Sequence, residues 1–125
     1  MANDLPKKDV LEVPVDLNAE IEITSQSSVY ILTKPNDNGW RSITVTKKGR
    51  VVDQRRGKIY GVAVDDSKRR LGHRVEDPHR KEGQPADTRW IDQTTMIKTG
   101  DYVVFLREGE EYDITSKVVR ISVSE

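Results

Sequence analysis

Short runs of β-branched residues, separated by turns that contain glycine, dominate this chain. No window places apolar residues at the i, i+3, i+4, i+7 spacing of an amphipathic helix over three turns. Ile21 and Ile23 alternate with polar residues, as do Val119, Ile121 and Val123 near the other end. A period of two is typical of strands with one buried face, so the pattern predicts an all-β fold.

Three turn sequences divide the region after residue 28 into four predicted strands. Asn38-Gly39 is a strong hairpin sequence, and Gly49 and Gly57 each permit a tight reversal because glycine adopts positive φ without strain. Consecutive strands joined by tight turns form a four-stranded antiparallel meander, and around it we predict a small antiparallel barrel or sandwich. The predicted strands of the meander are residues 28–34, 40–47, 50–55 and 58–65.

The 125 residues of the chain match the length of one domain. We assign residues 19–125 to a single β-domain and residues 1–18 to an N-terminal arm. Within the arm, residues 10–15 have the composition of an edge strand, which Pro6 and Pro14 limit. Residues 66–88 combine few apolar residues with two prolines, two glycines and charges of both signs. This composition predicts a long charged loop, which is either functional or disordered.

The formal net charge is zero, but the charges are segregated along the chain. Residues 41–74 carry 11 positive and 3 negative side chains, a net charge of +8, whereas residues 1–40 and 75–125 each carry −4. Segregated charge creates a local field that the net charge hides, and such a field indicates binding to an acidic partner, a phosphate backbone or another copy. The candidate binding residues come from the basic block: Lys47, Lys48, Arg50, Arg55, Arg56, Lys58, Lys68, Arg69 and Arg70.

Alternate turns of a meander lie at opposite ends of the sheet, so we expect the basic block to form two clusters. The first cluster joins the cations around Gly49 to those at the start of the long loop, and contains Lys47, Lys48, Arg50, Lys68, Arg69 and Arg70. The second lies beside the Asn38-Gly39 turn and contains Arg41, Arg55, Arg56 and Lys58. Such a cluster captures phosphates or carboxylates, and Trp40 or Tyr60 nearby supplies a stacking surface for single-stranded nucleic acid.

Residues for catalysis or metal binding are scarce in this sequence. There is no cysteine, which excludes disulfides, thiolate nucleophiles and cysteine-ligated zinc. The two histidines, His73 and His79, have a spacing that fits no standard metal site, and Pro78 prevents a helix that would align them. No serine-nucleophile or phosphate-loop motif is present. We therefore predict no catalytic residue, no metal site and no cofactor; a hydrolase or metal enzyme that uses the histidines is the third hypothesis.

The apolar runs of the sequence are short. The N-terminal residues contain no run typical of a signal peptide, and the longest runs, such as residues 103–106, are far too short to span a bilayer. We expect a cytoplasmic protein without membrane contacts, or a virion protein if the source is viral.

A small β-domain with an arm, a long charged loop and segregated charges predicts a non-enzymatic structural or interaction module in a larger assembly. Opposite patches suit head-to-tail contacts, so we expect the partner to be a protein or a second copy of the chain, forming a homo-oligomer. Accessory proteins of virions and phages, such as decoration, tail or adaptor components, are one setting for such a module. The alternative is a nucleic-acid-binding small β-barrel that uses residues 41–74, although the zero net charge disfavours it.

Overall fold

The computed structural model describes residues 7–64, 73–76, 88–109 and 111–124. These residues contain twelve strands and no helix. None of them therefore belongs to a helix long and apolar enough to cross a membrane. The strands are β1 (Lys7–Val10), β2 (Glu12–Pro14), β3 (Glu20–Ser25), β4 (Val29–Leu32), β5 (Arg41–Lys47), β6 (Arg50–Val64), β7 (His73–Glu76), β8 (Thr88–Gln93), β9 (Met96–Lys98), β10 (Tyr102–Arg107), β11 (Tyr112–Ile114) and β12 (Val118–Ser124).

Ten of the strands form one antiparallel sheet. Its main path has the order β1-β12-β3-β4-β5-β6-β10-β11, and β8 and β7 extend it from β6, while β2 and β9 form a separate two-stranded sheet. The order β3-β4-β5-β6 confirms the predicted meander and the all-β class. The end strands β1 and β11 are not paired with each other among the described residues, so the sheet is not a closed barrel. Of the two predicted architectures, the open, sandwich-like one is compatible with this topology.

Strand β6 corrects the predicted end of the meander. It runs for 15 residues, so residues 50–55 and 58–65 belong to one strand and the first strand of the meander is β3. Gly57 makes no turn and lies between Arg41 of β5 and Arg107 of β10. A Cβ at this position would come within 3.0 Å of the Leu106 carbonyl oxygen. Gly57 therefore permits a close approach of two strands, which is the other common use of glycine in a sheet.

Two predicted turns are confirmed by their geometry. The Asn36 side-chain oxygen accepts hydrogen bonds from the backbone N–H groups of Asn38 (2.9 Å) and Trp40 (3.0 Å), and Gly39 has a φ of 84°. The turn between β5 and β6 consists of Lys48 and Gly49, with φ values of 52° and 77°. Positive φ at both central positions is the geometry of a two-residue hairpin whose twist matches the strands.

The predicted N-terminal arm contains strands from Lys7 onward. β1 forms an edge strand of the main sheet on β12, and β2 pairs with β9 and buries Val13. The Asp9 carboxylate accepts hydrogen bonds from Ser122 Oγ (2.7 Å) and Arg120 Nε (3.0 Å), and these bonds lower the pKa of Asp9. Residues 7–14 are thus attached to the main body, while the division of the chain at residue 18 stays a prediction.

Residues 73–76 of the predicted charged loop form strand β7. β7 pairs with β8 in an antiparallel register that places Glu76 opposite Thr88, and β8 continues to β6. Residues 66–72 and 77–87 of the predicted loop lie outside the described residues.

The main hydrophobic core lies on the inward face of the sheet. Alternate residues of β3 and β5 face it, which explains their period of two: Ile21, Ile23 and Ile43 belong to the main cluster with Leu32 and Phe105. In β12 the predicted alternation holds for Ile121 and Val123 but is wrong for Val119, which is 55% exposed, because the register shifts between Val118 and Arg120 and Val118 is buried instead. A backbone hydrogen bond from Thr115 to Val103 (2.9 Å) joins the segment before β12 to β10. A second cluster packs between β6, β8, β10 and β11 and contains Ala63, Ile91, Val104 and Ile114.

Candidate interaction site

Arg41, expected in the second basic cluster, is an internal structural residue. It is 2% exposed. Its guanidinium donates hydrogen bonds to four backbone carbonyl oxygens, those of Ala19 (2.8 Å), Thr33 (3.0 Å), Leu17 (2.5 Å) and Val15 (3.5 Å). Burial lowers the pKa of Arg41. The side chain ties β5 to the segment before β3 and is not available to a partner.

Arg55 faces inward and is compensated by carboxylates. Its guanidinium forms ion pairs with Asp53, two residues earlier on the same face of β6, and with Asp113 of β11. Asp113 Oδ2 is also 3.5 Å from Arg107 Nε. A cation held between two carboxylates has little attraction left for a phosphate, so Arg55 does not act as a free cation of the basic block.

Arg56 and Lys58 face the other side of β6. Lys58 Nζ lies 4.6 Å from the centroid of the Trp40 ring, a cation–π contact. Arg56 forms a long ion pair with Glu108 at 3.7 Å. Both side chains lie near the Asn38-Gly39 end, as predicted, because the register of β5 and β6 places Arg41 opposite Gly57. The predicted second cluster is therefore divided between an inner and an outer face of the sheet.

The tip of the β5–β6 hairpin, residues 47–52, carries the most accessible described part of the basic block. All six residues are exposed, and no ion pair joins Lys47, Lys48 or Arg50 to the rest of the described chain. Val51 and Val52 are also 63% and 54% exposed. Val52 is the extra residue of a β-bulge, since Thr46 pairs with Val51 and Val45 with Asp53. We call this segment the hairpin tip.

The predicted neighbours of the hairpin tip, Lys68, Arg69 and Arg70, lie outside the described residues. β6 does not reverse at Gly57, so the turn on which their predicted position beside Lys48 depends does not form. The chain reaches Val64 at the far end of the same strand, on the order of 45 Å along the strand from Arg50 at about 3.3 Å per residue. Whether these three residues bind anything stays a prediction.

A cavity of about 600 Å³ opens beside the hairpin tip. Tyr30, Ile43, Val45 and Phe105 contribute its apolar lining, and the Tyr30 and Phe105 rings are 5.3 Å apart. Burial raises the pKa of Tyr30. The volume of the cavity falls within the range of small-ligand and side-chain pockets.

Part of the cavity wall is polar. This part includes the Asp53–Arg55–Asp113 ion-pair group, Lys47 of the hairpin tip and Tyr102, while Val52 of the hairpin tip adds apolar surface. Ser27 and Ser116 also line the cavity, and their hydroxyl oxygens are 2.9 Å apart. No sequence pattern predicts this cavity directly. The one related signal is the spacing of Asp53 and Arg55, which places both side chains on one face of a strand.

The described residues hold no group of three or more histidine, cysteine, aspartate or glutamate side chains that could bind a metal ion. His79 lies outside the described residues, and His73 is described by its backbone in β7. The expectation of a non-enzymatic protein without metal or cofactor stays a prediction.

The chain was compared with protein-family models, with curated proteins and with solved structures, and none of the three comparisons gave a match.

Proposed function

We propose that this protein is a non-enzymatic interaction module that binds a protein chain in a larger assembly through its hairpin tip and the mouth of the adjacent cavity. One observation carries the proposal: three cations without an ion-pair partner in the described chain lie beside two exposed valines at the end of the β5–β6 hairpin. Apolar contacts supply affinity in protein interfaces, and surrounding charges supply specificity and register.

The exposed valines favour a protein partner over a phosphate backbone. Burying one valine side chain contributes on the order of 1.5 kcal/mol or more, and an interface with protein is the usual way to achieve it. A phosphate backbone would contact the cations of the hairpin tip but would leave the two valine side chains exposed to water. A homo-oligomer and an accessory role in a virion or phage, such as decoration, tail or adaptor protein, are settings consistent with this proposal.

Two sets of charge reversals distinguish the hairpin tip from the outer face of β6. The tagged chain is purified from the cells that produce it, as wild type, as K47E/K48E/R50E and as R56E/K58E. We expect a protein, either a second copy or another chain, to co-purify with the wild type and with R56E/K58E, but not with K47E/K48E/R50E. Equal recovery of the protein with all three forms, or no recovery with any, contradicts the proposal.

A specific contact favours a second candidate function, binding of single-stranded nucleic acid by the outer face of β6. Lys58 lies over the Trp40 ring, and Arg56 is exposed on the same face. An aromatic ring with adjacent cations can stack a base and contact its phosphates. In gel shifts with a single-stranded oligonucleotide, this function requires a steep salt dependence. It also requires loss of the shift in R56E/K58E and its retention in K47E/K48E/R50E; the first proposed function predicts no shift at all.

A further inference from the structure

We propose that the partner of the hairpin tip is a second copy of this chain, whose Leu11 side chain enters the cavity of the first copy. This inference rests on the proposed function and names the chain that the site binds. Leu11 is 79% exposed and is the most exposed large hydrophobic side chain among the described residues. A single exposed leucine on a loose loop is common in folded proteins. Whether Leu11 indicates an interface therefore depends on how firmly its backbone is held.

The backbone around Leu11 is held on both sides. Leu11 lies between β1, which pairs with β12, and β2, which pairs with β9. Its carbonyl oxygen accepts a hydrogen bond from the Thr99 N–H group (3.0 Å). A side chain presented from an anchored backbone loses little conformational freedom on binding, which favours a role as an interface anchor.

The cavity and the hairpin tip complement this segment. The apolar lining of Tyr30, Val45 and Phe105 suits a leucine side chain, and 600 Å³ leaves space for it. Glu12 follows Leu11, is exposed, and has no ion pair in the described part of the chain. The cations of the hairpin tip, of which Lys47 lines the cavity, likewise have no ion pair among the described residues. If Leu11 occupies the cavity, Glu12 lies near the cations of the hairpin tip. The same interface then contains an apolar contact and an electrostatic contact.

The copies meet through side chains, since the adjacent edge of β6 is protected against strand pairing. The bulge at Val52 disrupts the edge, and the Asp53 carboxylate accepts the Gln54 N–H group at 2.8 Å. The Arg56 carbonyl oxygen accepts a hydrogen bond from Glu108 at 3.2 Å. Bulges and occupied backbone groups are the usual protection of an edge strand.

Because Leu11 and the cavity are different surfaces, each copy supplies one anchor and one socket. Contacts of this kind join an apolar residue to a pocket elsewhere on the next molecule and produce closed rings, reciprocal dimers or open chains, depending on the rotation between copies. A variant that lacks Leu11 should therefore associate with a variant whose cavity is blocked, because one supplies the cavity and the other supplies Leu11.

The test is a mixing experiment with L11E, which removes the anchor, and V45F, which fills the socket. Association is measured by light scattering and sedimentation over a concentration series. We expect the wild type to self-associate, and each variant alone to associate at least about 30-fold more weakly, as for an interface anchor. An equal mixture of L11E and V45F should regain association, because one copy still has a cavity and the other still has Leu11. S42E, which adds the same charge on the outer face of β5, should associate like the wild type.

V45F could fail to associate because it folds poorly, so a second measurement is made on the wild type. On dilution, the amide resonances of residues 11 and 12 and those of residues 45 and 52 should shift together. A wild type that remains monomeric at the highest concentration overturns the inference, as does a mixture no better than the separate variants or a dilution shift confined to other residues. If the wild type is monomeric but another protein co-purifies through the hairpin tip, the inference fails and the proposed function stands.

Discussion

Replacing Arg41 by methionine is expected to lower the free energy of unfolding by about 3–5 kcal/mol. The guanidinium of Arg41 is buried and satisfies the carbonyl oxygens of Ala19, Thr33, Leu17 and Val15. Methionine fills part of the same space but donates no hydrogen bond, so the carbonyl oxygens lose their partner inside the protein. Urea denaturation of wild type and R41M measures the difference.

Two companion variants separate geometry from charge. R41K keeps the positive charge but lacks the planar fork that reaches several carbonyls at once, so we expect it to lose most of the stability that R41M loses. R56M removes an exposed arginine of the same strand pair and should change stability by less than about 0.5 kcal/mol. An R41M protein within about 1 kcal/mol of the wild type would contradict the structural role assigned to Arg41.

Alanine at position 61 is expected to cost about 3 kcal/mol and to separate β8 from β6. Gly61 pairs with Val104 on one side and Gln93 on the other. A Cβ there would lie 1.8 Å from the Asp92 carbonyl oxygen and 2.9 Å from the Thr94 nitrogen. Both are backbone atoms, so the added methyl group forces the strands apart.

G49A is the matched control for G61A. Apart from residue 49 itself and its two chain neighbours, no atom lies within 4 Å of a Cβ at position 49, and the residue has a φ of 77°, so alanine there brings backbone strain of about 1–2 kcal/mol without a collision. Urea denaturation gives the two stabilities, and amide exchange of residues 91–93 reports on β8. Equal stability losses in both variants, with β8 exchange unchanged in G61A, would rule out the close contact.

The strands and most turns of this fold could be predicted because their patterns are local. The period of two in β3, and the turns at Asn38-Gly39 and Lys48-Gly49, depend on residues adjacent in sequence. Gly57 was misassigned because glycine serves both as a turn residue and as a point of close strand contact. Choosing between these uses requires the position of Leu106, which is distant in sequence.

The candidate site was harder to predict because a count of charges along the sequence does not show which face of a strand each side chain occupies. With β6 broken at Gly57 in the sequence prediction, the alternation that places Arg55 inward and Arg56 outward was lost. The burial of Arg41 depends on carbonyl oxygens from residues 15–19 and 33, and no sequence pattern indicates them. The cavity joins side chains from β4, β5, β6, β10 and β11, so it exists only after the sheet has formed.

The most direct measurement of the proposed interface is site-specific photo-crosslinking in the cells that produce the protein. A photoreactive phenylalanine analogue replaces Val51 at the hairpin tip or, in a second strain, Ser42, which lies opposite Arg56 on the outer face. We expect a discrete protein adduct from position 51 and none from position 42, with an adduct mass of two copies if the chain binds itself. An adduct from position 42 alone, or no adduct from either position, would contradict a protein-binding hairpin tip.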